Sequence, residues 1–302
     1  MDDIINYYLN ILKNTMEIKK IGMFQMPTDA FEGDFKKINE FIEFWNEKWD
    51  WDDSIPLNKA GKGMRTYLVN RKILSEVLES RIYPGLSNNF ERKLYLNNCI
   101  NICLSDYKKN KEKVSDEIIF NAFNSIQYWG AITGRTFYQR NGLDESNIEN
   151  FKKCWTKSVK PFYLSILNEI STKEINLCNL IPLFENIEGV GVSFGTKHLH
   201  FWSKAFGKKN PLPIYDKNIF QLLRAEIRDN RYPTWSQYLQ VVQEFEKLAI
   251  KLNKTSESIE KALFAYYAKV GISPNNKVPK EFQKDSDTKI VNEFLNTRLL
   301  SK

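Results

Sequence analysis

Cysteine and histidine are scarce in this 302-residue chain, which holds four of the first and two of the second. Cys99 and Cys103 stand four positions apart, Cys154 and Cys178 stand alone, and no C-x-x-C pair occurs. That spacing excludes a zinc ribbon and a clustered four-cysteine iron–sulfur loop. The thiols are expected reduced and buried, as in a cytosolic protein. Long hydrophobic runs are missing too: no stretch approaches 18 apolar residues, which excludes a membrane-spanning helix. The opening Met1-Asp2-Asp3-Ile4 is acidic where a signal peptide would be basic, so a cytoplasmic location is expected. Alternating strand patterns are short, and internal repeats, low-complexity tracts and linkers are absent. Gly61-Lys62-Gly63 lacks the Gly-x-x-x-x-Gly-Lys-Ser/Thr spacing and a preceding strand, so it reads as a basic loop and not a nucleotide loop.

What the chain does carry is helical periodicity. Ile4, Tyr7, Tyr8 and Ile11 trace one apolar stripe, and Ile38, Phe41, Ile42 and Trp45 trace another. Further helices are expected over 66–80, 90–107, 116–130 and 149–170. In the C-terminal third they are expected after Asp216, after Pro233, over 256–270 and over 286–300. The fold class is all-α. Hydrophobic residues at 42 % and charged residues at 27 % fit an ordinary folded domain. Lys and Arg outnumber Asp and Glu by 44 to 37, a net +7 that suits a polyanionic partner. Trp45, Trp49 and Trp51 are expected in the core.

Glu188-Gly189-Val190-Gly191-Val192-Ser193-Phe194-Gly195-Thr196-Lys197 places a glycine-rich turn between two helical patterns, Asn176–Glu185 and Thr196–Phe206. Such a turn lets backbone N–H groups approach a phosphate, which a helix N-terminus also attracts. Lys197 opens the second helix, whose positive end favours a free amine, and Asp216 opens the next helix. A lysine can attack a sugar C1′ to form a Schiff base, and a carboxylate can stabilise the positive charge that develops as a base leaves. The bland readings are an N-cap for Asp216 and a solvated or phosphate-contacting side chain for Lys197, with Lys204 and Lys208 near the same face. His198 and His200 would point ~200° apart on a helix, so packing or a DNA-edge contact is expected before metal ligation.

Gly195-Thr196-Lys197 with Asp216 beyond it resembles the helix-hairpin-helix DNA glycosylase superfamily, and most closely its 8-oxoguanine glycosylase-like branch. Gly191-Val192-Ser193-Phe194-Gly195 stands where that branch has Leu-Pro-Gly-Val-Gly, and Ile214-Tyr215-Asp216 stands for its Val-Asp approach. The resemblance implies one glycosylase unit over 1–302, built as two helical lobes with a DNA-binding cleft between them. Their expected extents are about 60–195, and 1–59 with 196–302, with the helix-hairpin-helix near 176–206. It implies catalysis by Asp216 and Lys197, and a phosphate grip by Gly189, Gly191, Gly195 and Thr196. Backbone contacts from Lys204, Lys208 and Lys209 follow, with Arg135 and Arg140 as further DNA contacts in the aromatic stretch from Trp129. No redox cofactor or metal site is implied, only a monovalent cation on the hairpin carbonyls. The partner would be double-stranded DNA with a modified base. That base is either an 8-oxoguanine-like lesion or a hypermodified phage base such as glucosylated hydroxymethylcytosine, removed in antiviral defence. A non-catalytic helix-hairpin-helix DNA-binding module is the alternative.

Overall fold

The computed structural model describes residues 35–48, 89–130, 148–223 and 232–269. Its helices are α1 (Phe35–Lys48), α2 (Asn89–Asn110), α3 (Asp116–Trp129), α4 (Ile148–Ser158) and α5 (Lys160–Ser171), then α6 (Leu177–Glu185), α7 (Val192–Ala205), α8 (Lys217–Leu223), α9 (Trp235–Leu252) and α10 (Ser256–Lys269). Every regular element among the described residues is helical, so the protein is all-α as its periodicity predicts. The expected helices near residue 8, over 66–80 and over 286–300 lie outside the described residues, as do Trp49, Trp51 and the loop at Lys62. No helix among the described residues is long and apolar enough to cross a membrane.

The single helix expected over 149–170 is in fact two. Pro161 lies in the first turn of α5 and has no N–H to give the carbonyl of Lys157. The Val159 N–H still reaches the Trp155 carbonyl at 2.8 Å, and the Val159 carbonyl accepts from Tyr163 at 2.9 Å. The chain therefore turns at one residue without breaking off. The helix after Pro233 is set by Thr234, which forms a reciprocal capping box with Gln237.

The chain divides into two compact units, Trp51–Lys208 and Met1–Asp50 with Lys209–Lys302. α7 lies whole within the first unit. There α7 packs against α2, α3 and α5, and α5 also carries α4 and α6. The core of this unit is aromatic: Phe120, Phe123, Trp155, Tyr163 and Trp202 are all essentially inaccessible. Trp155 meets Phe120 edge-on at 5.2 Å, and Tyr163 meets Phe123 edge-on at 5.1 Å, the geometry that ring quadrupoles favour.

In the second unit α10 is the centre, packed on α1, α8 and α9. The predicted stripe Ile38, Phe41, Ile42 and Trp45 on α1 is buried, with Trp45 in the core as expected. Asn210 secures the start of α10: it accepts from the Ser256 N–H at 2.7 Å and donates to the Ser256 hydroxyl at 2.9 Å. All four cysteines are free. Cys103 is buried, and burial first, then the charge of Asp106, pushes its thiol up to about 12. Cys154 is exposed on α4, a departure from the expectation of buried thiols, while its neighbour Trp155 is buried.

Candidate functional site

The glycine-rich segment folds differently from its sequence pattern. The turn is 186–191, and the helix begins at Val192, four residues before the expected start at Thr196. Ile187 and Val190 are buried and pin the turn, and the Val190 N–H closes it on the Ile187 carbonyl at 3.1 Å. Gly189 takes φ 86, a left-handed conformation that a Cβ would strain. Gly191 is the N-cap of α7 in extended backbone, with no side chain to cap the helix. Among the described residues nothing accepts from the N–H groups of Gly191, Val192 and Ser193. These amides lie at the positive end of the helix.

Gly195 and Thr196 have no share in that open end. The Gly195 N–H is bound to the Gly191 carbonyl at 2.9 Å, and both residues are buried inside α7. A phosphate at the turn would therefore meet Gly191, Val192 and Ser193, not Gly195 or Thr196. The turn carbonyls divide likewise. Those of Ile187 and Gly191 accept hydrogen bonds, while those of Gly189 and Val190 accept none among the described residues.

Lys197 does not open the helix; it stands on the second turn of α7 and is only 6 % exposed. Helical side chains lean toward the N-terminus, and this one runs back along its own helix. Its Nζ donates to the Ser193 carbonyl at 2.9 Å and lies over the Phe194 ring, 5.2 Å from the centroid. The ammonium thus returns to a carbonyl of the first turn of the same helix. Phe194 stands three positions before Lys197 on the helix, a spacing that sequence could have flagged. Gly130, just past the end of α3, also borders the lysine stem and could not have been found from sequence.

His198, the next residue, is fully buried. Its ring stacks on Phe123 at 4.8 Å; Tyr163 Oη lies 2.7 Å from Nδ1 and Gln127 Nε2 lies 3.1 Å from Nε2. Trp202 donates its indole N–H to Tyr163 Oη at 2.6 Å. With that lone pair taken, Tyr163 satisfies itself best by donating to Nδ1, which leaves the proton on Nε2. Nε2–H then calls for the amide oxygen of Gln127. Exchanging that amide's O and N supplies it. Burial, and then the charge of Lys197, depress the His198 pKa to about 3, so the imidazole is neutral. Packing is its role. Among the described residues no group of His, Cys, Asp or Glu is placed to hold a metal ion.

Asp216 belongs to the other unit. The segment leading to it, 211–215, is buried, and Tyr238 Oη donates to the Pro213 carbonyl at 3.1 Å. At its end Asp216 is half-buried and caps α8, where Oδ1 accepts from the Asn218 N–H at 2.9 Å and the Ile219 N–H at 3.2 Å.

The remaining expected contacts separate. Lys204 is exposed near the C-terminus of α7, and Lys209 is exposed. Lys208 donates to the carbonyls of Thr172 and, at 3.4 Å, Lys173, so its ammonium caps the end of α5. Trp129 is half-buried against Phe201; Arg135 and Arg140 lie outside the described residues. Lys217, beside Asp216, was not anticipated; it is exposed and lies over Tyr232 at 5.5 Å.

Residues 176–264 match the family described as "Putative 8-oxoguanine DNA glycosylase OGG-like protein". The match runs from the N-cap of α6 into α10, taking in the glycine turn, Lys197 and Asp216. The similarity falls on the motif residues from which the resemblance was read. The chain matches no curated protein and no solved structure at a significant level.

Proposed function

We propose that this protein is a DNA glycosylase that extracts a modified base from the duplex and cleaves its N-glycosidic bond. One observation carries the reading. Inside the segment that matches the glycosylase family, Lys197 folds its ammonium back onto the Ser193 carbonyl in the first turn of α7, the helix whose first three amides have no acceptor among the described residues. Amides and cation together favour a phosphate, so the target strand would be gripped beside an amine able to react with its sugar. Lys204 and Lys209 would hold flanking phosphates. A monovalent cation would use the carbonyls of Gly189 and Val190, adding positive charge toward the same strand.

The target base must leave the stack to expose C1′. Lys197, once deprotonated, attacks C1′; the base departs with the C–N bonding pair and is protonated, and the sugar opens to a Schiff base. Asp216 stabilises the positive charge that accumulates on the sugar. Elimination from the Schiff base then nicks the strand, whereas attack by water would leave only an abasic site. Two substrate classes fit, oxidised guanine and a hypermodified phage base.

The test is to incubate the protein with duplexes carrying 8-oxoguanine, an alkylated base, glucosylated hydroxymethylcytosine or no modification, scoring abasic sites and nicks. Abasic sites in one modified duplex support the reading and identify the base class. Salt-sensitive binding to every duplex with no abasic sites in any would instead favour a non-catalytic DNA-binding module, the role consistent with Asp216 acting only as a cap.

A further inference from the structure

We propose that Gly130 is a positioning residue for Lys197, keeping open the space that the lysine stem and the Phe194 ring share. This rests on the reading of Lys197 as the nucleophile. Gly130 follows α3, and its N–H still closes a helical turn on the Ile126 carbonyl at 3.0 Å. The positive-φ glycines among the described residues are Gly189 and Gly207, so Gly130 is not there to reach a left-handed conformation. Space is the reason. A Cβ at 130 would stand 2.7 Å from Phe194 Cε1, 3.0 Å from Lys197 Cδ and 3.3 Å from Lys197 Cε. The first contact is closer than real Cβ atoms come, and the other two press on the carbons that lead to the amine.

Lys197 is therefore held on three sides. The backbone of Gly130 borders its stem, the Phe194 face lies beneath its head, and the Ser193 carbonyl takes one of its protons at 2.9 Å. A long, flexible side chain is thereby confined, and its amine is held against the Ser193 carbonyl in the first turn of α7. For a nucleophile this matters, because a displacement of about 1 Å can cost on the order of a hundredfold in rate.

The test reads the lysine itself before any DNA is added. The full-length protein is acylated briefly with an N-hydroxysuccinimide ester, and mass spectrometry gives modification of Lys197 relative to exposed Lys204. Gly130→Ala and Phe194→Leu are each expected to raise that ratio about fivefold or more, the loss of one cation-over-ring contact. An unchanged ratio in folded Gly130→Ala overturns the proposal. If Gly130→Ala does not fold, Phe194→Leu decides alone by the same criterion. Lowered stability with an unchanged ratio marks a purely structural glycine and also overturns it. Borohydride trapping on the active duplex adds a second readout, expected to fall about tenfold or more in either variant. A raised ratio with no trapped adduct from the wild-type protein on any duplex leaves the positioning intact and removes the lysine nucleophile.

Discussion

Replacing Asp216 separates a structural duty from a chemical one, because the two depend on different properties of the same side chain. Capping needs an oxygen: Oδ1 accepts from the Asn218 and Ile219 N–H groups at 2.9 and 3.2 Å. Asparagine keeps such an oxygen and loses only the attraction of a charge to the start of α8, about 0.3–1 kcal/mol. Alanine loses that and the cap itself, a further ~1 kcal/mol. In a chain of this size each kcal/mol moves Tm by about 2–4 °C, so Asp216→Ala should melt measurably below Asp216→Asn. The chemistry needs the charge, which both variants lack. Removing one group that stabilises transition-state charge costs about 10²–10³ in rate, so both should cleave at or below a hundredth of the wild-type rate. Single-turnover cleavage on the active duplex and calorimetric melting read the two effects independently. A folded Asp216→Asn protein that cleaves within threefold of wild type would remove Asp216 from the chemistry. Equal loss of Tm in the two variants would refute the capping argument.

Other perturbations give equally direct outcomes. Tyr163→Phe strands the Trp202 indole N–H and His198 Nδ1 in the core and should destabilise by about 2 kcal/mol or more in urea unfolding. His198 has a native pKa near 3, against 6.5 in the ordinary imidazole, so below 6.5 the unfolded chain binds a proton that the native state refuses. Stability should then fall as pH drops from about 6.5 toward 3, by up to ~1.4 kcal/mol per pH unit from this one group; between pH 7 and 5 the slope should be shallower in His198→Asn. Lys204→Ala and Lys209→Ala should each flatten the log K against log salt slope of DNA binding by about 0.9. Lys208→Ala, whose ammonium caps α5, should leave that slope unchanged and slightly lower Tm.

The helices were legible where one face repeats at helical spacing, as Ile38, Phe41, Ile42 and Trp45 do on α1. They were misread where a local signal lost to tertiary packing. Gly191 and Gly195 look like one glycine-rich turn, yet α7 is enclosed by α2, α3 and α5, and that burial draws Gly195 into the helix despite its poor propensity. The turn then shrinks toward Gly189 and Gly191. Lys197 and Asp216 stood out in the sequence as a pair of residue types at a recognisable spacing, and the family match spans both. The return of the lysine head to Ser193 follows from side-chain direction, which residue numbers alone do not convey. The partners of Lys208, the carbonyls of Thr172 and Lys173, were not legible, because they are backbone atoms of a distant helix end and backbone atoms leave no signature in sequence.

Gly191 has a consequence for how ligand and fold are coupled. Its backbone, at φ −77 and ψ 178, is the conformation a capping serine or aspartate adopts, and a Cβ there would meet nothing within 4 Å. A side chain that completed the helix is thus sterically permitted, and it would act as a permanent internal ligand for amides that would otherwise bind phosphate. Without it, completing the start of α7 is left to whatever anion arrives. Binding and local folding at that point become a single free energy, so phosphate-bearing ligands should raise the melting temperature of the protein with the logarithm of their concentration above the dissociation constant for this helix end.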